Sequence, residues 1–241
     1  MNLTIDQGNT SVKVALFDNG ELVHLERVER LSSDVLDGVC AAFPTISGVI
    51  VSSVGDRSKL DLDALRSRFP SMLMLDHSTP VPVQNCYGTP HTLGMDRLAS
   101  CIGANALSPN VPLLVVDMGT CITIDFVTPD GRFLGGNISP GMQMRFKALH
   151  QYTSALPLVA APDSEPLIGS CTTDAIAAGV VNAITFEIEG YVARFKEKYP
   201  NLLVYLTGGD AFYFEKRLKN CIFANPNLLL IGLNRILTFN E

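Results

Sequence analysis

Ile5-Asp6-Gln7-Gly8-Asn9-Thr10 decides the reading of this chain, because it has the form of a phosphate-holding turn and the chain writes it a second time. Leu3 to Ile5 lead into it, and Val12, Val14 and Leu16 then alternate with Ser11, Lys13 and Ala15 until Asn19-Gly20 turns the chain. Alternation on both sides of a Gly-polar turn predicts a β-hairpin. Much further on, Val116-Asp117-Met118-Gly119-Thr120 is followed by an alternating run through Ile122, Ile124 and Phe126, and then by Asp130-Gly131. Asp6 matches Asp117, Gly8 matches Gly119 and Gly20 matches Gly131, all at one offset. The chain reads as two halves of related design, each offering a small turn to a phosphate.

The chemistry needs these residue types. Glycine lets backbone N–H groups approach phosphate oxygens, and Asn or Thr adds short donors beside them. A carboxylate at the strand end can hold Mg²⁺, its water shell or another cation against the phosphate. A single turn of this kind also makes an ordinary hairpin; two in equivalent settings point to a nucleotide and a metal. Met118 is bulky for a place beside phosphates unless its side chain turns back into the core.

The rest of the composition narrows the class. A chain of 241 residues, 47% hydrophobic and 17% charged, has ample length for a core and is expected to fold throughout as one large or two small domains. A formal charge of −6 and the absence of long Lys/Arg runs argue against a nucleic-acid surface. The N-terminus lacks a basic and apolar leader, and no segment approaches a membrane span of about 20 apolar residues, so a soluble cytoplasmic protein is expected. The 6 cysteines show no C-x-x-C spacing, and the 4 histidines are scattered, which leaves zinc, disulfide and triad-hydrolase chemistry without support.

In order, the pattern predicts a third strand at 21–27, a helix at 33–43, a buried strand at 47–53 opening into a Gly55 loop, a helix at 60–69 and a strand at 72–75. After an irregular stretch from Pro80 to Pro90, residues 91–107 are a helix, or a loop and then a helix, and the domain boundary is placed at 108–112. In the second half, Gly135 to Met142 is too rich in Gly and Pro to be regular. Helices are expected at 143–150 and from Thr172 or Thr173, as a cap, to about Tyr199, where the Ala175–Gly179 face suits close helix packing. A strand at 202–206 turns through Thr207-Gly208-Gly209-Asp210-Ala211 into a helix reaching Leu218, and 228–237 is a buried helix.

The ordered set Asp6-x-Gly8-Asn9-Thr10, Tyr87, Gly94-x-Asp96-Arg97, Asp117-x-Gly119-Thr120, Gly136-x-x-Ser139-Pro140-Gly141, Thr172-x-x-Ala175 and Thr207-Gly208-Gly209 resembles the type III pantothenate kinases over nearly the whole chain. The resemblance implies an α/β, duplicated two-domain actin-like ATPase fold, with ribonuclease H-like halves at 1–110 and 111–241 and ATP in the cleft between them. It implies transfer of the ATP γ-phosphoryl group to pantothenate, the first step towards coenzyme A. By the same similarity Asp6, Gln7, Gly8, Asn9, Thr10, Ser11, Val12 and Lys13 hold the ATP phosphates, with Asp6 near Mg²⁺. Thr120, Gly208 and Gly209 contact the nucleotide, and Asp117 binds a monovalent cation, K⁺ or NH₄⁺. Tyr87, Gly94, Met95, Asp96, Arg97 and Thr172 meet pantothenate, with Asp96 as the proton acceptor. Members of that family are commonly homodimers, for which the apolar helix from Thr172 is a suitable surface.

Two other readings stay open on the residues alone. A nucleotide-dependent binding protein would keep the fold, but the retention of Asp96, Arg97, Asp6 and Asp117 speaks against one freed from catalysis. A sugar or carboxylic-acid kinase would share both turns but not Tyr87 with Gly94-x-Asp96-Arg97.

Overall fold

The computed structural model of the chain describes residues 1–8, 11–53, 60–219 and 222–241. Asn9, Thr10, the loop expected at Gly55 and Cys221 lie outside the described residues. Contacts divide the chain into two units, Met1–Pro109 with Gly131–Phe133 and Asn227–Glu241, and Asn110–Asp130 with Leu134–Pro226.

In the first unit β1 (Asn2–Gln7), β2 (Val12–Asp18) and β3 (Glu21–Val28) form an antiparallel meander. Asn19 at φ 49° and Gly20 at φ 87° supply the left-handed pair that a tight hairpin between β2 and β3 requires. β4 (Gly48–Ser53) and β5 (Leu73–Met74) add in parallel on the other side, giving the order β3-β2-β1-β4-β5. α1 (Ser33–Ala42) starts where Ser32 Oγ accepts the Val35 N–H, and α2 (Leu62–Arg68) where Asp61 Oδ1 accepts the Ala64 N–H. Their buried Leu36, Val39 and Leu65 pack on Leu3, Ile5, Val14, Leu16, Val49 and Val51.

β1 is buried on both faces from Leu3 onward, because a second helical layer covers its other side. α7 (Leu228–Phe239) packs on β1, on β4 and along α3 (Met95–Leu107). Leu228, Leu230, Leu233 and Ile236 of α7 are fully buried, and each contributes about 2 kcal/mol. α3 and α7 meet backbone to backbone: a Cβ at Gly232 would collide with the Ala99 carbonyl, and one at Gly103 with the Leu228 carbonyl. That contact fixes the axis of α3, whose first turn carries Asp96.

The second unit repeats the plan. β7 (Leu113–Met118) and β8 (Cys121–Val127) form the antiparallel hairpin, β9 (Arg132–Pro140) follows β8, and β10 (Leu203–Thr207) and β11 (Ile222–Ala224) lie parallel beyond β7. The order β11-β10-β7-β8-β9 is that of the first sheet, strand for strand. At Arg132 and Phe133, which belong to the first unit, β9 also pairs in parallel with the two-residue β6 (Gln84–Asn85). The two turns differ in length: Gln7 lies opposite Val12, whereas Met118 lies opposite Ile122. The second turn is one residue shorter, so the counterpart of Lys13 is Thr123.

α4 (Met142–Gln151), α5 (Thr172–Lys198) and α6 (Ala211–Glu215) complete this unit. Ile176, Val180, Ile184, Ile188 and Val192 of α5 join Leu114, Val116, Ile124, Val204 and Leu206 in its core. Met118, 1% exposed, turns its side chain into the same core.

Several expectations change. Gly135 to Pro140 is strand, not irregular: a Cβ at Gly136 would collide with the Ile124 carbonyl of β8, so glycine here permits close strand pairing where it was read as a breaker. The N-cap of α5 is Cys171, not a threonine, and its side chain makes no capping bond. A Cβ at Gly179 would meet open space, so no close helix packing occurs at that glycine. α6 stops at Glu215, short of Leu218. α5 is long and apolar enough to cross a membrane by length and composition, contrary to the expectation that no segment approaches this, but 50% of its most apolar window is buried in the core.

Candidate active site

In the first unit the carboxylate of Asp6 ends the central strand. The pairing of β1 on both sides sets Asp6 opposite Lys13 and opposite Ser52. Covered by helices on both sheet faces, Asp6 is 7% exposed, and its pKa is pushed up to about 6. Burial is the largest cause; Lys13 pulls the value down, and the charge of Asp96 pushes it up. Two carboxylates and a lysine therefore share one neighbourhood. The Gly8 N–H donates to the Ser11 carbonyl at 3.0 Å and closes the turn. Gln7 and Val12 are buried, and Gln7 Oε1 accepts the Ser53 hydroxyl at 2.8 Å, so that side-chain oxygen is engaged with β4.

The segment before α3 aims a second set of groups. A short 3-10 turn at Pro90–Thr92 leads to Gly94, the N-cap of α3. A Cβ at Gly94 would lie 2.5 Å from Asp96 Oδ1, so glycine here leaves room for Asp96 to fold back over the first helical turn. There Asp96 Oδ1 accepts the Arg97 N–H at 2.9 Å, and an acidic group in the first turn is favoured by the helix dipole. Arg97 is 8% exposed, and its guanidinium lies 5.7 Å from the centroid of the Tyr87 ring. Tyr87 is itself fixed: its N–H donates to Asn85 Oδ1 at 3.0 Å, and its ring leans on Phe133 at 6.3 Å between centroids. The parallel pairing of β6 with Phe133 thus delivers Tyr87 to Arg97. Gly94, Met95 and Asp96 are partly exposed and open to a ligand.

In the second unit Asp117 ends the central strand in the same way, half-buried and opposite Thr123 and Thr207. Gly208, at φ 89°, brings the turn after β10 against it, with Asp117 Oδ1 and the Met118 carbonyl each 2.5 Å from where a Cβ would stand. The Asp210 N–H then donates to that Met118 carbonyl at 3.0 Å. These turns border a cavity of about 1300 Å³ that is lined by Gly119, Thr120, Thr172 and Gly209 among others. Thr120, Thr172 and Gly209, expected at separate places in the sequence, therefore share one cavity.

A strap that the sequence did not reveal holds the loop between α4 and α5, from which Leu156 reaches the cavity wall. Arg217 lies over the Tyr213 ring at 3.8 Å, donates from Nε and Nη2 to the Glu165 carboxylate, and reaches the Asp163 carbonyl at 2.9 Å. The Tyr213 hydroxyl donates to the Pro162 carbonyl at 2.6 Å. Asp125, 2% exposed on β8, and Asp210 were also missed. Asp210 had a usable signal, since it follows Thr-Gly-Gly directly.

The family description that matches this chain, Type III pantothenate kinase, spans residues 2–194. Two relatives carry the same description: one from Phocaeicola vulgatus, 48% identical, and one from Bacteroides fragilis, 49% identical, each covering 100% of this chain and 99% of the relative. The chain belongs to the type III pantothenate kinase family. Its fold is also that of a protein described as a Baf family transcriptional activator from Campylobacter jejuni, with a TM-score of 0.65 and 21% identity over 99% of this chain and 98% of that one. A glucokinase from an Antarctic psychrotroph shares it at a TM-score of 0.56 and 12% identity, over 100% of this chain and 99% of that one. The fold of this type III pantothenate kinase is therefore the duplicated actin-like fold, and each half carries its own copy of the turn.

Both expected cations suit the oxygen donors present. Among the described residues no three His, Cys, Asp or Glu side chains form a metal-holding group. Mg²⁺ in phosphoryl-transfer sites binds through one or two carboxylates, waters and substrate phosphates, so a buried and underneutralised Asp6 fits it. Asp117, beside the Met118 carbonyl, offers the hard oxygens that a monovalent cation takes.

Proposed function

We propose that Asp96 is the proton acceptor in the reaction of this family, the ATP-dependent phosphorylation of pantothenate that opens coenzyme A synthesis. The observation that carries the assignment is the convergence within the first unit of Asp96, Arg97, Tyr87 and Asp6. The pantothenate hydroxyl oxygen forms a bond to the γ-phosphorus, the bond from that phosphorus to the β,γ-bridging oxygen breaks, and ADP leaves. The hydroxyl proton passes to Asp96. In a loose transfer that proton leaves late, so an ordinary carboxylate within hydrogen-bond reach is sufficient. Arg97, held by the Tyr87 ring, binds the pantothenate carboxylate, and Gly94 and Met95 beside it line its path in the first unit.

The backbone from Asp6 to Lys13 holds the ATP phosphates, while Thr120, Gly208 and Gly209 hold the nucleotide. Asp6 would hold Mg²⁺, directly or through water, and Asp117 would hold K⁺ or NH₄⁺. When bound, these cations neutralise phosphate charge. A homodimer is part of the same reading, and exposed Phe186 on α5, with Leu167 and Ile168 before it, suits such a contact.

The test is ADP release from ATP with and without pantothenate, in Mg²⁺ buffers containing K⁺ or only Na⁺, for the wild type beside Asp96→Asn. Pantothenate-dependent turnover that needs K⁺ and falls at least about 100-fold in Asp96→Asn is expected. Turnover undiminished in Asp96→Asn removes the proton-acceptor role, and a folded wild type that pantothenate does not stimulate in any salt removes the substrate.

A further inference from the structure

One acidic group on the second-unit cavity has no place in the scheme above. Asp210 lines the cavity beside Gly209, half-buried, and its own N–H bond to the Met118 carbonyl locks it next to the turn at Gly119 and Thr120. Although it occupies the N-cap position of α6, its side chain caps no amide. Among the described residues no hydrogen bond or ion pair reaches its carboxylate. The nearby guanidinium on the cavity wall is not available to it, because Arg145 donates to Glu187, to Ser139 Oγ and to the Pro140 carbonyl.

A carboxylate left in this state lacks donors, and a ligand that fills the cavity has to supply them. Phosphate cannot, since it is an anion. In a nucleotide the sugar lies next to the phosphates, and its vicinal hydroxyls present two O–H donors to the two oxygens of one carboxylate. The base lies further out, where Met144, Leu149, Ile176 and Val180 make the wall apolar. We propose that Asp210 accepts hydrogen bonds from the ribose hydroxyls of ATP and selects a ribonucleotide as the phosphoryl donor. This deepens the reading of Gly208 and Gly209 as the nucleotide's contacts and rests on it.

The test measures binding of ATP, 2′-deoxy-ATP and 3′-deoxy-ATP by calorimetry, without pantothenate, to the wild type, Asp210→Asn and Asp210→Ala. Hydrogen bonds to a charged group are among the stronger ones, so the wild type should favour ATP over each deoxynucleotide by about ten-fold or more. Asp210→Ala should bind ATP about ten-fold more weakly and bind all three nucleotides alike, with thermal unfolding showing that the variant is folded. Asp210→Asn, which keeps the shape and one acceptor, should fall between. The assignment is overturned if the wild type does not discriminate, if Asp210→Ala weakens all three equally, or if Asp210→Ala binds ATP as the wild type does. Because binding is read without pantothenate, loss of the substrate assignment leaves this test standing. Turnover on pantothenate without sugar discrimination overturns the role of Asp210 alone.

Discussion

Replacing Asp6 by Asn should make the unliganded protein more stable, and the gain should depend on pH in a defined way. Asp6 is buried, and its carboxyl titrates at about 6 instead of the ordinary 3.8, mainly because burial disfavours the charge. Between those two values the folded state keeps a proton that the unfolded state has lost. Stability therefore falls as the pH rises through that window, and the loss is complete above it. Each pH unit of separation is worth about 1.4 kcal/mol, so the ionised Asp6 removes about 3 kcal/mol at pH 7. Asn has nearly the same shape and no charge. Urea unfolding of wild type and Asp6→Asn at steps from pH 4 to pH 8 reads the difference directly, and other carboxylates cancel in the comparison. The two proteins should be close in stability near pH 4, and Asp6→Asn should lead by about 3 kcal/mol above pH 7, while losing pantothenate-dependent turnover. Stability curves that run parallel across the whole range would refute the reasoning, since they would mean that Asp6 ionises without strain. A group retained at such a cost to the fold is the expected mark of a functional residue.

Two further substitutions probe the scaffold. Gly232→Ala drives a methyl group into the Ala99 carbonyl at the crossing of α3 and α7, and should cost about 3 kcal/mol by urea unfolding; because α3 carries Asp96, turnover should fall as well. Arg217→Met leaves Glu165 without its partner at a site where the pair is only 15% and 9% exposed, which should cost about 2 kcal/mol and speed proteolytic cleavage between residues 152 and 171.

The hairpins were legible because each combines strict alternation with a Gly turn, and writing the unit twice removed the ambiguity of a single copy. The helices at Ser33, Met95 and Leu228 were legible for a similar reason, each having a long apolar stripe or a clear start. β6 and β11 were not, because Gln84–Asn85 lies inside the irregular stretch from Pro80 to Pro90 and the three residues of β11 are too few to show a period. β9 was hidden by its own glycines. Nothing local in Leu228 to Phe239 says that the last helix returns to pack on β1 and α3, since a contact between the two ends of a chain leaves no periodic trace.

The site divided along similar lines. Asp96, Arg97 and Tyr87 could be named from the ordered motifs, but not the contact of the Tyr87 ring with the guanidinium, nor the pairing of β6 with Phe133 that brings Tyr87 there. Asp6 could be placed at a strand end. Its burial could not, because a carboxylate at the end of a strand is ordinarily solvated, and only the helices on both faces of this sheet change that.

Those helices and the one-residue difference between the turns also give the duplicated carboxylates different surroundings. Across the hairpin Asp6 faces Lys13, and Asp117 faces Thr123. Lys13 draws the pKa of Asp6 down against its burial, and a lysine beside a buried carboxylate leaves a neighbourhood in which a polyanion such as ATP meets a positive charge as well as Asp6. No basic side chain stands at the matching place beside Asp117, so a monovalent cation there would meet no ammonium group from across the hairpin. The shorter turn is what changes the register, exchanging the counterpart of Lys13 for a threonine. The two sheets keep the same strand order, so the exchange of Lys13 for Thr123 across the hairpin alters the charge beside each carboxylate without altering the plan of either unit.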